Sequence, residues 1–347
     1  MEFIDKQLWS EGPTAADHYR QRYADGLEAF VARKNAESKL GRTLTMSPEA
    51  LKADPEFFRE KYKAMLGLNL FAETSSKPVE VTYVDSDEVC GIYRLTVYIT
   101  DEIPFYAMLL LPHNAEKPMP LVIAQHGGGG TPELCADYHG PNNYNHMVQR
   151  ALDRGNAVLA PQLLLWSCTE EEKMRAHPVP YDRKKLDVDL KRFGSSVTAL
   201  EISGIMKSLD YVCAREDIDC EEVSMIGISY GGYFTLHTMA ADRRIKAGYC
   251  AAVFNDRDVY NWSDWTYQGS ACRFQDAEVA ALCAPRRLYV QVGKEDPVFD
   301  WHSAVLEAER VKAYYGAFAA EENFVFDLWD GGHTIADHHK GYDFILK

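Results

Sequence analysis

The sequence contains no Cys-x-x-Cys pair, although eight cysteines lie between Cys90 and Cys283. Cysteine pairs at that spacing are typical of zinc sites and of thiol redox centres, so both kinds of site are disfavoured. Cysteines scattered in this way are typical of reduced and mostly buried thiols. We expect reduced thiols rather than disulfides, and no catalytic cysteine.

Long apolar runs are also missing from the sequence. No run approaches the about 18 apolar residues that a membrane span needs. The charged N-terminus, residues 1–6, lacks the apolar core of a signal peptide. The sequence therefore predicts a cytoplasmic protein with no membrane partner.

Basic residues are too few to form a nucleic-acid surface. The chain has 37 Lys and Arg against 52 Asp and Glu, which gives a net charge of −15. Nucleic acids and anionic membranes repel such a protein unless its basic residues are concentrated. The longest basic cluster, residues 183–185, is followed by Asp187 and Asp189, and we interpret it as a solvated loop or helix end.

The first part of the chain differs in pattern from the rest. Residues 1–78 are rich in helix formers and predict an N-terminal helical extension, followed by a catalytic domain over residues 79–347. The extension either packs on that domain as a cap or forms an arm through which a homo-oligomer assembles. Residues 163–195, charged and proline-bearing, predict an insertion that forms a partial lid.

Short apolar runs alternate with helix-length segments from residue 79 onward. The predicted strands cover residues 79–84, 90–100, 105–111, 121–125, 157–160, 223–228, 247–253, 288–292 and 324–328. The first three are separated by turn residues alone, which favours an antiparallel start. Later strands are separated by helical segments such as residues 144–154, 197–213 and 230–241. This alternation predicts an α/β fold with a mostly parallel central sheet flanked by helices.

Residues 227–231 read Gly-Ile-Ser-Tyr-Gly and match the Gly-x-Ser-x-Gly pattern. In that pattern a serine nucleophile occupies a strained turn between a strand and a helix, and the glycines let the backbones approach. The predicted strand before Ser229 and the predicted helix after it supply this setting. We therefore predict Ser229 as a nucleophile.

A serine nucleophile needs a base and an acid that orients the base. His333 follows the last predicted strand in a glycine-rich turn, and Asp296 follows the strand over residues 288–292. We predict His333 as the base and Asp296 as the acid, with Glu295 and Asp300 as alternatives to Asp296. The remaining downstream histidines are assigned to helices: His237, His302, His338 and His339. A metal site built from residues 337–339 is disfavoured, because neighbours on a helix diverge.

When a serine attacks a substrate carbonyl, negative charge develops on the carbonyl oxygen. Backbone N–H groups that already point at this oxygen stabilise the charge. Tyr230, the residue after the nucleophile, supplies one such group. The second comes from the Gly-rich loop after the strand over residues 121–125, where we favour Gly128 and place Gly127 second. No Gly-Lys-Ser or Gly-Lys-Thr follows these glycines, so a phosphate-binding loop is disfavoured.

An aromatic segment follows the strand over residues 247–253. It contains Trp262, Trp265 and Tyr267 beside acidic and amide side chains. A loop at this point would overhang the nucleophile, so these three residues are predicted either to line the substrate site or to pack within a lid.

Together these motifs make the chain from about residue 80 onward resemble the α/β-hydrolase superfamily. It is more narrowly similar to the dienelactone-hydrolase and acetyl-xylan-esterase-like group, in the strand-ending Ala160-Pro161-Gln162 and in residues 210–219 before the nucleophile strand. Dienelactone hydrolases carry cysteine in place of Ser229, and carbohydrate deacetylases usually carry glutamine in place of Tyr230.

The resemblance implies a cofactor-free enzyme that cleaves a small or carbohydrate-linked carboxylic ester through an acyl-enzyme. A peptidase or amidase that uses the same serine, histidine and aspartate is an alternative. The sequence, however, contains no propeller-sized domain that would control the entry of peptides. A catalytically silent hydrolase fold that serves in binding is a further alternative.

Overall fold

The computed structural model describes residues 14, 16–138, 140, 142–168, 176–177 and 179–346. Parts of the predicted N-terminal extension (residues 1–13 and 15) and of the predicted insertion (169–175 and 178) lie outside these residues, as does the charged segment at residues 1–6. The strands are β1 (Glu80–Ser86), β2 (Cys90–Thr100), β3 (Ile103–Pro112), β4 (Met119–Gln125), β5 (Ala157–Pro161), β6 (Ser167–Cys168), β7 (Ala176–His177), β8 (Ile218–Ile228), β9 (Ile245–Ala251), β10 (Arg287–Gly293) and β11 (Phe324–Trp329).

Helices precede the first strand and separate most of the later ones. They are α1 (Asp17–Thr45), α2 (Pro48–Ala53), α3 (Pro55–Leu66), α4 (Pro132–Cys135), α5 (Met147–Leu152), α6 (Arg183–Lys191), α7 (Val197–Cys213), α8 (Tyr230–Ala241), α9 (Asp276–Ala281), α10 (Trp301–Ala317) and α11 (Lys340–Ile345). Short 3-10 turns lie at Leu68–Phe71, Ser263–Trp265, Ser270–Cys272 and Glu321–Asn323. No helix in the described ranges is both long enough and apolar enough to span a membrane.

One sheet of nine strands organises the chain, in the order β1-β2-β3-β5-β4-β8-β9-β10-β11. β1, β2 and β3 pair antiparallel, and β3 is also antiparallel to β5. From β5 to β11 every neighbouring pair is parallel. The predicted sheet, mostly parallel and flanked by helices, is therefore confirmed. Its parallel strands all end at one edge, where α/β proteins bind their ligands.

Hydrophobic cores lie on both faces of the sheet. In β4, Leu121 and Ile123 belong to the larger core, whereas Val122 and Ala124 belong to the smaller one on the opposite face. Alternate side chains of a strand point to opposite faces, so a strand covered on both sides is apolar throughout. This explains why β4 forms a continuous apolar run.

The N-terminal helices contact the rest of the chain unequally. Residues of α2 and α3 belong to the larger core of the sheet, whereas the first half of α1 is exposed along its length. Near its C-terminal end α1 is held by Arg42, whose side chain is fully buried. Its Nη2 donates to Gln275 Oε1 at 3.0 Å, and its Nε lies 3.2 Å from Glu278 Oε2. Arg42 thus joins α1 to the segment that starts α9.

Two cysteines form a disulfide, so the prediction of reduced thiols is wrong for this pair. Cys213 ends α7 and Cys220 lies near the start of β8, with their Cα atoms 5.5 Å apart. The turn between the helix and the strand brings the two cysteines together. Their separation of seven residues is not one of the spacings considered in the sequence analysis, so the disulfide was not predicted. The prediction of buried free thiols is confirmed for Cys90, Cys135, Cys250 and Cys283, whereas the free thiol of Cys272 is exposed.

Replacing Arg42 tests the attachment of α1. Arg42→Ala leaves the buried Glu278 carboxylate with fewer partners, and we expect it to lower the free energy of unfolding by about 3 kcal/mol. Urea unfolding of the full chain measures this change. Arg22→Ala on the exposed half of the same helix is the control and should change it by less than about 0.5 kcal/mol. Equal effects of the two substitutions would mean that Arg42 does not anchor α1.

Candidate active site

Ser229 lies in the sharp turn between β8 and α8. Its φ of +57° and ψ of −122° are rare for a residue with a side chain, and such strain is found where the surrounding structure enforces it. The Ser229 N–H donates to the carbonyl oxygen of Ala251 at 2.9 Å, and its own carbonyl accepts from the Tyr233 N–H at 2.9 Å. These two backbone hydrogen bonds fix the conformation of the turn. The side chain of Ser229 takes part in neither of them, and the residue is partly exposed.

The two glycines of the motif allow three backbone segments to meet. A Cβ on Gly227 would lie 2.3 Å from the carbonyl oxygen of Gly231. A Cβ on Gly231 would lie 2.1 Å from the carbonyl oxygen of Gln125, at the end of β4. Neither position can carry a side chain unless the backbone moves. The motif therefore brings the turn at Ser229 directly against the loop that follows β4.

Asp296 and His333 are joined by a hydrogen bond. His333 Nδ1 lies 2.8 Å from Asp296 Oδ2, so the ring donates this N–H to the carboxylate and keeps Nε2 as an acceptor. Asp296 is held by the Val298 and Phe299 N–H groups, which donate to Oδ1 at 2.8 and 3.2 Å. The Asp296 side chain is fully buried, and that of His333 is 20% exposed. This pair can hold an imidazole in one tautomer with one accessible nitrogen.

The other candidate acids lie away from His333. Glu295 is exposed, and Asp300 caps α10 and bonds to the neighbouring His302. His302 lies in α10, as predicted. His237 lies in α8, as predicted, where its Nδ1 is hydrogen-bonded to the buried Tyr62 hydroxyl. The structure therefore brings Asp296, and neither of its two alternatives, to His333.

Residues 337–339 were assigned to a helix, and this assignment is wrong, since α11 begins only at Lys340. The His338 ring instead lies beside Asp327 on β11, with 3.1 Å between Nε2 and Oδ2. Within the described ranges, no group of His, Cys, Asp and Glu side chains is arranged to hold a metal ion.

Ser229, Asp296 and His333 follow three parallel strands that end at the same edge of the sheet, β8, β10 and β11. The Ser229 hydroxyl forms no hydrogen bond with His333 in the structure. Nucleophile and base are often less closely bonded in the absence of substrate. The structure thus places a strained and partly exposed serine and a hydrogen-bonded His–Asp pair in turns at one edge of the sheet.

Backbone N–H groups near Ser229 differ in their availability. Tyr230 is the first residue of α8, where N–H groups have no partner within the helix. The N–H of Gly127 donates to the Tyr144 hydroxyl at 3.0 Å and is therefore engaged. The N–H of Gly128 has no acceptor among the described residues. Of the three predicted oxyanion donors, Tyr230 and Gly128 remain free to bind a substrate oxygen.

His126 fixes the loop that carries these glycines. Its Nδ1–H donates to the Gly127 carbonyl at 2.8 Å, and its Nε2 accepts from the Leu163 N–H at 2.9 Å. Complete burial lowers the pKa of His126 to about 4. At neutral pH the ring is thus uncharged, and it ties the loop after β4 to the chain after β5.

The three predicted substrate-lining aromatics lie in different surroundings. Trp262 is 38% exposed, and its ring stacks on Tyr230 with the centroids 6.0 Å apart. Trp265 is buried and stacks on Tyr233 at 4.5 Å, and the buried Tyr267 bonds through its hydroxyl to that of Tyr233. Only Trp262 of the three has a face open to solvent beside the nucleophile turn.

Two further aromatic residues near the site were missed by sequence reasoning. Trp166, in the predicted insertion, packs edge-on against Tyr230 at 5.5 Å and lies so close to Gly128 that a Cβ there would be 2.4 Å from the ring. The ring of Phe299 stacks on His333 at 5.9 Å. Neither residue lies in a periodic segment or a motif, so no local signal identifies it.

The basic cluster at residues 183–185 begins α6, and Lys184 and Lys185 are exposed as predicted, but the prediction that Arg183 is solvated is wrong. Its guanidinium binds both carboxylate oxygens of Glu201 at 2.8 and 2.9 Å, and its Nε donates to Asp264 at 3.1 Å. The Tyr230 hydroxyl donates to the same oxygen of Asp264 at 3.0 Å. Burial acts to lower the pKa of Arg183, but the two carboxylates outweigh it and raise the pKa above its ordinary value. The insertion is thereby anchored directly behind the residue that follows Ser229.

Comparison with known proteins finds related sequences and folds. YtaP of Bacillus subtilis (strain 168), whose name describes it as a hydrolase, is 23% identical over 258 residues, which cover 70% of this chain and 82% of that protein. No protein-family model matches the chain.

Solved structures are more informative about the fold. A glucuronoyl esterase from Solibacter usitatus has a TM-score of 0.61 and 15% identity over 86% of this chain and 93% of its own. An acetyl xylan esterase from Paenibacillus sp. R4 has a TM-score of 0.56 and 18% identity over 84% and 93%. The chain thus has the α/β-hydrolase fold, and the predicted resemblance to acetyl-xylan-esterase-like proteins is confirmed at the level of fold.

Acid titration tests the role of His126. The pKa of His126 falls from an ordinary 6.5 to about 4 in the folded chain. Its contribution to the free energy of unfolding is therefore complete above pH 6.5 and is lost as the pH falls toward 4. We expect this residue to account for about 3 kcal/mol of the stability lost over that range. Unfolding free energies of the wild type and of His126→Asn, measured at several pH values, give the difference. Parallel pH profiles of the two proteins would contradict it.

Proposed function

We propose that the chain is a serine hydrolase of carboxylic esters, with Ser229 as nucleophile, His333 as base and Asp296 as the residue that orients the base. The observation that carries this proposal is the His333–Asp296 hydrogen bond at the edge of the sheet where the strained Ser229 also lies. The names of the structurally similar proteins, two kinds of carbohydrate esterase, support an ester as the bond that is cleaved.

In the first half of the reaction His333 Nε2 takes the proton of the Ser229 hydroxyl while the oxygen attacks the ester carbonyl. The N–H groups of Tyr230 and Gly128 stabilise the oxyanion that forms. The imidazolium, stabilised by the Asp296 carboxylate, then gives its proton to the departing alcohol. The carbon–oxygen bond breaks, and an acyl group remains on Ser229.

The second half repeats these steps with water. His333 takes a proton from water while the water oxygen attacks the acyl carbon, and the N–H groups of Tyr230 and Gly128 stabilise the oxyanion that forms. Collapse of this intermediate returns the proton to Ser229 and releases a carboxylic acid. One ester and one water thus give one acid and one alcohol, and no cofactor is consumed.

The walls of the site favour a substrate with an apolar or ring-shaped part. Trp166, Tyr230, Trp262 and Phe299 present aromatic surface around the turn that bears Ser229. The Tyr230 hydroxyl is already bonded to Asp264, so this residue offers its ring rather than a free polar group. Such surfaces pack against the carbon–hydrogen face of a sugar or against a small acyl chain. We therefore propose a small or carbohydrate-linked acyl ester.

Substitution of the three proposed catalytic residues tests the mechanism. Ser229→Ala, His333→Ala and Asp296→Asn should each lower kcat on a chromogenic acetate ester by roughly 10⁴ or more. The three residues act together in the proposed mechanism, and each substitution removes the function of one of them. His302→Ala and Glu295→Gln are matched controls that should leave kcat within a factor of about two. A silent Asp296→Asn would make Glu295 or Asp300 the acid. A preference for the matching anilide over the ester would make the chain an amidase, and no turnover of either would favour a binding role.

Removal of the exposed aromatic wall tests the substrate assignment. Trp262→Ala should raise KM for an acetylated sugar about tenfold and leave kcat almost unchanged, because the ring lies beside the site and touches no reacting group. Steady-state kinetics on acetylated sugars measure both constants. Val259→Ala, an exposed residue in the same segment, is the control. A fall in kcat with constant KM would contradict a role in substrate binding.

A further inference from the structure

A cavity of about 110 Å³, separate from the proposed ester site, lies between α1, α8 and the segment after β9. Ser229, Asp296 and His333 are not among the residues that line it. Its wall includes Tyr233, His237, Arg257, Asp258, Trp265 and Asp276. Val31, Asn261 and Thr266 are exposed, so the cavity opens to solvent. A cavity of about 150 Å³ holds one benzene molecule, and this one is smaller but open to solvent, so it can take one side of a sugar ring or a small polyol.

Three residues in this wall have buried polar atoms without a hydrogen-bond partner among the described residues. These atoms are Arg257 Nη1, Trp265 Nε1 and His237 Nε2. The other polar atoms of Arg257 are engaged, since Nε and Nη2 bind the two oxygens of Asp276 at 2.7 and 2.6 Å. Buried polar groups are nearly always bonded, so three such atoms on residues that line one cavity are groups that a bound molecule can pair with.

The charges around the cavity disfavour an anion. Arg257 is its one cationic wall residue, and its charge is compensated by Asp276. Asp258 adds a second carboxylate, which accepts from Gln275 Nε2 at 2.7 Å. Burial lowers the pKa of His237 well below its ordinary value, so its ring adds no positive charge. A ligand with a negative charge would therefore meet two carboxylates and one neutralised guanidinium.

The chemistry of the wall suits a neutral molecule with several hydroxyl groups. Trp265, Tyr233 and Phe274 supply aromatic surface, and the carboxylates and amides accept or donate hydrogen bonds at its rim. Hydroxyl groups can accept from Arg257 and Trp265 and can donate to Asp258. Mixed aromatic and polar walls of this kind bind ligands that have both an apolar face and a polar edge.

We propose that this cavity binds a neutral polyhydroxylated ligand, such as a single sugar residue or a small polyol, separately from the ester site. Trp265 forms a wall between the two sites, since its ring lies 4.8 Å from Tyr230 on the ester side and 4.5 Å from Tyr233 on the cavity side. The site does not depend on the proposed ester chemistry, because none of its residues acts in that reaction.

Calorimetric titration of the full chain with xylose and with glycerol tests the proposal, and we expect saturable binding of at least one of them. Val31→Trp on the exposed side of α1 places a large ring at the mouth of the cavity and should weaken binding at least tenfold. Leu27→Trp, one turn earlier on the same helix and absent from the wall, is the matched control and should bind as the wild type does. Trp265→Phe keeps the ring, removes the N–H and should weaken binding about fivefold.

The proposal would be overturned by no binding of either probe, by equal loss of binding in Val31→Trp and Leu27→Trp, by tighter binding of acetate or phosphate than of the neutral probes, or by loss of binding in Ser229→Ala. The Ser229→Ala variant separates this site from the ester site. Xylose or glycerol binding that persists in that variant supports an independent site, and binding lost with the Ser229 hydroxyl would assign the probe to the ester site.

Discussion

The close approach of the turn at Ser229 to the end of β4 is the constraint on which the proposed site depends. A side chain at Gly231 would collide with the Gln125 carbonyl, so α8 could start so near β4 only with glycine there. This contact holds Ser229 in its unusual backbone conformation. It also brings the start of α8, which carries the Tyr230 N–H, against the loop after β4, which carries the Gly128 N–H, although the two segments are far apart in the sequence. The backbone conformation of Ser229 and the meeting of these two segments therefore have one cause.

Buried polar contacts then lock the loops around this turn. His126, uncharged because it is buried, ties the glycine loop to the chain after β5. Arg183 ties the insertion to Glu201 and to Asp264, which also receives the Tyr230 hydroxyl. Loops carry function best when a rigid scaffold fixes them. Here charged and hydrogen-bonded groups extend that rigidity from the sheet to the residues beside Ser229.

Local patterns made much of the fold predictable, because a buried parallel strand, a glycine turn and an amphipathic helix each leave a sequence signal. The same signals indicated Asp296 and His333, each in a turn that follows a strand. The burial of Arg183 had no such signal, since its partners are distant in the chain and its neighbours are charged. The Cys213–Cys220 disulfide depends on where β8 begins, which sequence patterns locate poorly. Trp166 lies in a segment without periodicity, so its position near the site could only be seen in three dimensions.

Covalent labelling shows whether Ser229 is the activated nucleophile that we propose. The full chain would be treated with a fluorophosphonate probe and analysed by intact-mass measurement and peptide mapping. We expect one adduct per chain, on the peptide that contains Ser229, formed only while His333 is intact. An adduct on another residue, or no adduct on protein that hydrolyses an ester, would contradict it.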